Sequence, residues 1–211
     1  MPDEEEYITK KTELYSMKNS PAMIDVGCNK GSFTENFYQY YPQAKVIAFE
    51  PIVELAVEVQ EKFTEKDFHI FPVGVGECMK TSDFYNVGRA SECSGVYPRE
   101  NFAGDHTKIP VITLDSIIPL VFDSIDYLKI DVEGNEKNVL LGAKYIIDNK
   151  FAKYIQFEYG DCYSLAETSL NDVIKILYPN YKIYHPDYGY VDEEFNLDDG
   201  IVRNFLAEAR V

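Results

Sequence analysis

The 211-residue sequence predicts an α/β domain with a mainly parallel central sheet, and three observations carry that prediction. Strand-like apolar runs alternate with segments of helical periodicity, as they do when helices cross over a parallel sheet. The first run, residues 22–26, passes through a glycine turn directly into a helix start. No internal repeat or low-complexity linker divides the chain, and a 45% hydrophobic content fills one core without staples.

The elements follow in order. Residues 4–18 suit a polar helix docked through Tyr7, Ile8, Leu14 and Tyr15, so 1–20 reads as an N-terminal helical extension of a single domain spanning 1–211. Strand patterns fall at 22–26, 44–49, 68–73, 125–131 and 154–158. Helical patterns fall at 32–41, 52–63, 135–147 and 165–177, giving helices on both faces of the sheet. Residues 79–114 break the alternation and read as an insertion of short strands and loops over the carboxyl edge of the sheet. From Tyr181 onward the chain suits further strands that close the sheet as an antiparallel C-terminal hairpin.

Composition excludes some partners. With 36 acids against 20 bases the formal charge is -16, which repels nucleic-acid phosphates and anionic lipid surfaces. Cys28, Cys78, Cys93 and Cys162 form no CxxC pair and read as reduced thiols. The start Met1-Pro2-Asp3-Glu4-Glu5-Glu6 lacks the basic and apolar regions of a signal peptide, and the apolar stretch 109–122 is too short to span a bilayer. A soluble, cytoplasmic protein is expected.

The turn Gly27-Cys28-Asn29-Lys30-Gly31 lets the backbone approach a ligand closely, and the following helix aims free N–H groups at the same place. Glu50, at the end of the second strand, is placed to accept both hydroxyls of a ribose. A dinucleotide site normally has a glycine where this chain has Asn29, so a cofactor without pyrophosphate is favoured, with Asp25 near its amino-acid end. A nicotinamide cofactor, or glycines that serve only helix packing, stay open on the turn alone. The segment Leu128-Lys129-Ile130-Asp131-Val132-Glu133-Gly134 narrows the choice. With a two-residue strand period, Lys129, Asp131 and Glu133 share one face, a costly arrangement unless they pair or do chemistry. An ion pair from Lys129 that only orders the loop is the bland alternative.

These motifs, with Phe49-Glu50-Pro51, Thr113-Leu114-Asp115, Glu136 and Val139-Leu140-x-Gly142-Ala143, resemble the FkbM family of S-adenosylmethionine-dependent methyltransferases. The resemblance implies the class I, Rossmann-like fold over about 22–207, and O-methylation of sugar or natural-product hydroxyls. It also implies that Asp25, Gly27, Asn29, Gly31, Ser32 and Phe33 hold the methionine part of the donor and Glu50 the ribose. Pro51 and the turn Gly74-Val75-Gly76 would flank the adenine. Cys28, where the family more often has Ala, reads as a small packing residue beside the cofactor.

For methyl transfer the catalyst must position a hydroxyl and take its proton. Asp131 is the expected base, Glu133 and Glu158 its alternates, and Lys129 a partner that tunes the carboxylate or binds the acceptor oxygen. No metal site is assigned, although carboxylates at Asp131, Glu158 and Asp161 offer hard ligands to a divalent cation. His69 reads as structural, His106 as the histidine able to reach an acceptor, and His185 as a surface or acceptor-loop residue. Tyr178, Tyr181, Tyr184, Tyr188 and Tyr190 suit either a sugar-binding wall or an outer strand. The acceptor expected is a neutral sugar or glycan. An NAD(P)-dependent oxidoreductase and a non-catalytic binding domain are the rival readings.

Overall fold

A computed structural model describes residues 17–99, 105–187, 189–197 and 201–211, the side chains of residues 89–91 excepted. The expected N-terminal helix lies almost wholly outside the described residues, as does Tyr188. The elements are β1 (Ala22–Val26), α1 (Ser32–Tyr40), β2 (Lys45–Phe49), α2 (Val53–Lys62), β3 (Asp67–Phe71), β4 (Gly74–Val75), β5 (Lys80–Asn86), β6 (Asp105–Ile112), α3 (Ile118–Val121), β7 (Ile125–Ile130), α4 (Glu136–Leu141), α5 (Lys144–Asp148), β8 (Ala152–Tyr159), α6 (Cys162–Leu165), α7 (Leu170–Leu177), β9 (Tyr181–His185), β10 (Gly189–Val191) and β11 (Arg203–Ala209). Short 3₁₀ turns occupy Gly88–Cys93 and Leu114–Ser116.

Eight strands form the main sheet in the order β10-β9-β11-β8-β7-β1-β2-β3. The five strands from β8 to β3 run parallel, and β11 enters antiparallel between β8 and β9. Every residue of β1 is buried, as a strand covered on both faces requires. Register then decides the chemistry. Asp25 lies opposite Lys129 across the β1–β7 pair, Lys129 opposite Gln156 across β7–β8, and Asn204 opposite Glu158 across β8–β11.

The structure departs from the predicted helices where glycine and capping chemistry intervene. The span 135–147 forms two helices, α4 and α5, because Gly142 packs against another backbone: a Cβ there would lie 1.9 Å from the Gly76 carbonyl oxygen. Asp115 starts α5 by accepting the N–H groups of Tyr145 and Ile146, which gives the Thr-Leu-Asp motif a structural role. The span 165–177 likewise divides. Ser169 restarts the chain into α7 through a capping box with Asp172.

Residues 79–114 are more regular than expected. The antiparallel pair β5–β6 joins β4 in a separate three-stranded sheet, packed through Ile52, Phe84, Ile109 and Val111. Tyr181 is fully buried and donates its hydroxyl to the Ala152 carbonyl, whereas Tyr178, at the end of α7, and Tyr190 meet at 3.1 Å on the outer edge, so Tyr181, Tyr184 and Tyr190 belong to the outer strands. His185 is not a surface residue. Its ring is buried against Phe195 and Phe205, and its Nδ1 accepts the Asp187 N–H. Among the described residues no helix is long and apolar enough to cross a membrane.

Candidate active site

Lys129 organises the carboxyl ends of the central strands. Its buried Nζ donates to the Gly27 carbonyl at 2.9 Å, and lies 3.3 Å from Asp25 Oδ1 and 3.2 Å from Asp131 Oδ2. Burial opposes the ammonium charge, but Asp131 and Asp25 outweigh it, so Lys129 is held protonated well above the ordinary lysine range. Asp25 is itself fully buried, and its Oδ2 accepts the Thr34 hydroxyl at 2.7 Å. Asp25 therefore joins β1, α1 and Lys129 and does not line the cleft, where sequence reasoning places it at the cofactor.

The glycine turn is shaped by close approach. Gly27 has φ +76°, and a Cβ there would stand 1.8 Å from the Asp131 carbonyl oxygen, so no side chain fits. Gly31, also left-handed, packs against Val59 of α2 and Phe63 at its C-terminal cap and lines neither hollow. Glu50 is buried with one backbone donor on each oxygen: Oε2 accepts the Asn29 N–H and Oε1 the Ile52 N–H, both at 2.9 Å. Burial raises its carboxyl above the ordinary range, partly offset by those two bonds. Each oxygen keeps a lone pair for a ligand hydroxyl.

β7 ends at Ile130, so Glu133 does not continue the strand face with Lys129 and Asp131. It sits in a turn at φ +57°, followed by Gly134 at φ +99°, where a Cβ would meet the Cys162 carbonyl at 2.7 Å. Glu133 Oε2 pairs with Arg99 and accepts the Cys162 thiol. Glu136 hangs its Oε1 on the Val132 N–H at 2.8 Å, and burial pushes its carboxyl up to about 8. Burial, then Asp131 and Glu133, push Glu158 up to about 10. Asp131, Glu133 and Glu158 each place one oxygen within 4.8 Å of the others.

Two adjoining hollows open beside these groups. The first is lined by Asn29, Glu50, Pro51, Gly74 and Val75 from the predicted set, and by Glu133 and Asn135. The second is lined by Cys28, Ser32, Phe33, Lys129, Gln156 and Asn204. Gly27, Asn29, Glu92 and Asp131 belong to both. Gly76 and Glu158 line neither, and Gly76 instead supports the Gly142 contact. Cys28 is buried with its thiol shifted upward by desolvation, so it packs and does not attack. His106 lies on the exposed small sheet paired with Asp83, away from both hollows, and His69 is exposed on β3.

Sequence reasoning missed Gln156 and Asn204. Tyr127 donates its hydroxyl to Gln156 Oε1 at 2.7 Å, and Gln156 Nε2 donates to Asn204 Oδ1 at 2.9 Å. A glutamine in the middle of an apolar strand was the available signal. Glu92 was also missed; it meets Lys30 at 2.6 Å across the mouth of the cleft. Nothing local marks that pairing, because it depends on how the segment after β5 folds back.

Residues 25–191 match the sequence model of the Methyltransferase FkbM domain. A 2-O-methyltransferase, NoeI of Sinorhizobium fredii (strain NBRC 101917 / NGR234), is 28% identical over 160 residues, which is 68% of this chain. The match spans 65% of that relative's length. Among solved structures, the methyltransferase FkbM of Methylobacillus flagellatus KT superposes with TM-score 0.58 at 17% identity, covering 93% of this chain and 46% of the other. SMU.1697c of Streptococcus mutans, solved with SAH, superposes with TM-score 0.57 at 12% identity over all of both chains. The likeness to both is one of fold, the class I methyltransferase fold with its largely parallel sheet.

Proposed function

Because the chain belongs to the FkbM methyltransferase family and carries an S-adenosylmethionine-dependent methyltransferase domain, we propose that it is an O-methyltransferase acting on a hydroxyl of a neutral sugar or glycan. The observation that carries the reading is the position of Asp131. It lines both hollows while Lys129 fixes one of its oxygens.

The cleft fits the donor. Gly27 leaves a cradle that any Cβ would fill, and Glu50 offers two oriented oxygens to a ribose beside Pro51, Gly74 and Val75. The second hollow, with Ser32 and Phe33, suits the methionine end and the approach of the acceptor. S-adenosylmethionine, when bound, supplies a methyl group on a positive sulfonium as the electrophile. This chain's residues then orient a hydroxyl for in-line attack, and Asp131 takes its proton as the O–C bond forms. Gln156 and Asn204 offer amide groups that match a polyhydroxylated acceptor. Oxygen as the accepting atom has support from NoeI, a 2-O-methyltransferase. Glu92 and Asp131, acidic groups common to both hollows, favour a neutral acceptor over an anionic one.

The test is transfer of labelled methyl from S-adenosylmethionine across a panel of neutral glycans, wild type against Asp131→Asn. Turnover should fall by roughly 10²–10⁴ while S-adenosylhomocysteine affinity holds. Near-wild-type turnover of the variant would remove Asp131 as the base. Absence of S-adenosylhomocysteine binding by the wild type would remove the donor itself.

A further inference from the structure

We propose that Asp131, Glu133 and Glu158 form a site for a hard divalent cation, Mg²⁺ or Mn²⁺, in the wall of the cleft. Their geometry is the first argument. One oxygen from each lies within 4.8 Å of the other two, while ligand oxygens on one octahedral Mg²⁺ stand about 3 Å apart when adjacent and about 4.2 Å when opposite, so the three side chains draw together around the ion.

The three carboxylates also differ in which oxygens are already committed. Lys129 holds Asp131 by Oδ2, and Arg99 and Cys162 both bond Glu133 through Oε2. Each residue therefore keeps its other oxygen for a ligand. The Glu158 carboxylate makes no hydrogen bond to any of the described residues.

A third, independent observation comes from Glu136. Its Oε2 is buried and has no hydrogen-bond partner among the described residues, an arrangement that is costly to keep. The carboxyl hangs on the Val132 N–H, between the first two ligands in the chain, and its field reaches Asp131, Glu133 and Glu158 alike. Asp25, Asp131, Glu133, Glu136 and Glu158 thus gather at the carboxyl ends of β1, β7 and β8, faced by the cations Lys129 and Arg99. A dication would offset the repulsion among those that are ionised.

The site stands whatever the acceptor is. Its role rests on the methyl-transfer reading: Asp131 lines both hollows, so a cation beside it meets the acceptor oxygen as a further ligand and makes that hydroxyl easier to deprotonate.

Mn²⁺ titration of the purified, chelator-treated protein, followed by electron paramagnetic resonance with neither donor nor acceptor present, tests the proposal. One saturable site tighter than about 1 mM is expected. Glu158→Gln should weaken it by at least about tenfold while thermal stability and S-adenosylhomocysteine affinity, measured by calorimetry, stay near wild type. A wild-type protein with no saturable Mn²⁺ site overturns the proposal, as does Mn²⁺ binding to folded Glu158→Gln at wild-type strength. Intact S-adenosylhomocysteine binding in either failure leaves the methyltransferase reading standing. Mn²⁺ binding without any affinity for S-adenosylhomocysteine would support the cation site and remove that reading instead.

Discussion

Lys129 Nζ lies 3.3 Å from Asp25 Oδ1, and both side chains are almost wholly shielded from water. Lys129→Met should therefore cost about 3–5 kcal/mol in urea unfolding, because it leaves the Asp25 carboxylate buried without its cation. Asp25→Asn in the same chain should recover at least about 1 kcal/mol of that loss. A single variant as stable as wild type would show that the pair contributes nothing to the fold.

Gly27 tests the fit of the turn. Gly27→Ala must push the Asp131 carbonyl, 1.8 Å from the new Cβ, while holding a left-handed backbone. A stability loss of about 1–3 kcal/mol is expected, together with weaker S-adenosylhomocysteine binding, read by thermal melting and calorimetry. A variant with wild-type values in both would mean that the loop moves freely.

Glu50 carries a more local prediction. Glu50→Gln keeps one acceptor oxygen but turns an amide N–H₂ toward the N–H of Asn29 or Ile52, where both native oxygens accept. S-adenosylhomocysteine affinity should fall by about tenfold or more, the scale of a hydrogen bond to a charged group. Unchanged affinity would assign the ribose to another residue.

The pH dependence follows from Glu136. Its carboxyl titrates near 8 in the folded chain against an ordinary value of 4.5. Between those values the folded state binds a proton that the unfolded state has released, so stability falls as pH rises through the interval. At pH 7 the cost reaches about 3 kcal/mol if Asp131, Glu133, Glu158 and Tyr163 around it keep their charge states. Glu136→Gln should remove its share of that slope and leave the part due to Glu158, whose carboxyl is pushed up to about 10. Denaturant midpoints from pH 5 to 8, in chelator, measure it, and an identical slope in both proteins would place the titration elsewhere.

Much of this architecture is legible in residue patterns, because buried parallel strands have to be largely apolar, and β1, β2 and β7 are, apart from Asp25, Lys45, Asp126 and Lys129. That Asp131, Gly27 and Glu50 fall beside the cleft is legible for a related reason: polar or side-chain-free positions at the ends of such strands stand out from the apolar run. The break at Gly142 was not, since it depends on the Gly76 carbonyl more than sixty residues earlier in the chain. Asp25 looks like a ligand residue in the sequence, which shows a carboxylate near the turn but not that Lys129 faces it from the next strand. Arg99, Cys162 and Asn204 acquire meaning only through tertiary pairing, and short-range patterns carry no trace of it.

The two hollows share only Gly27, Asn29, Glu92 and Asp131. That narrow waist separates two inheritances. Replacements at Gln156, Asn204 or Lys30 reach the second hollow without touching Glu50, Pro51 or Val75, so under the proposed assignment a lineage could change what it modifies while leaving the donor nucleoside's hollow untouched. The same partition makes the second hollow the place to redesign first.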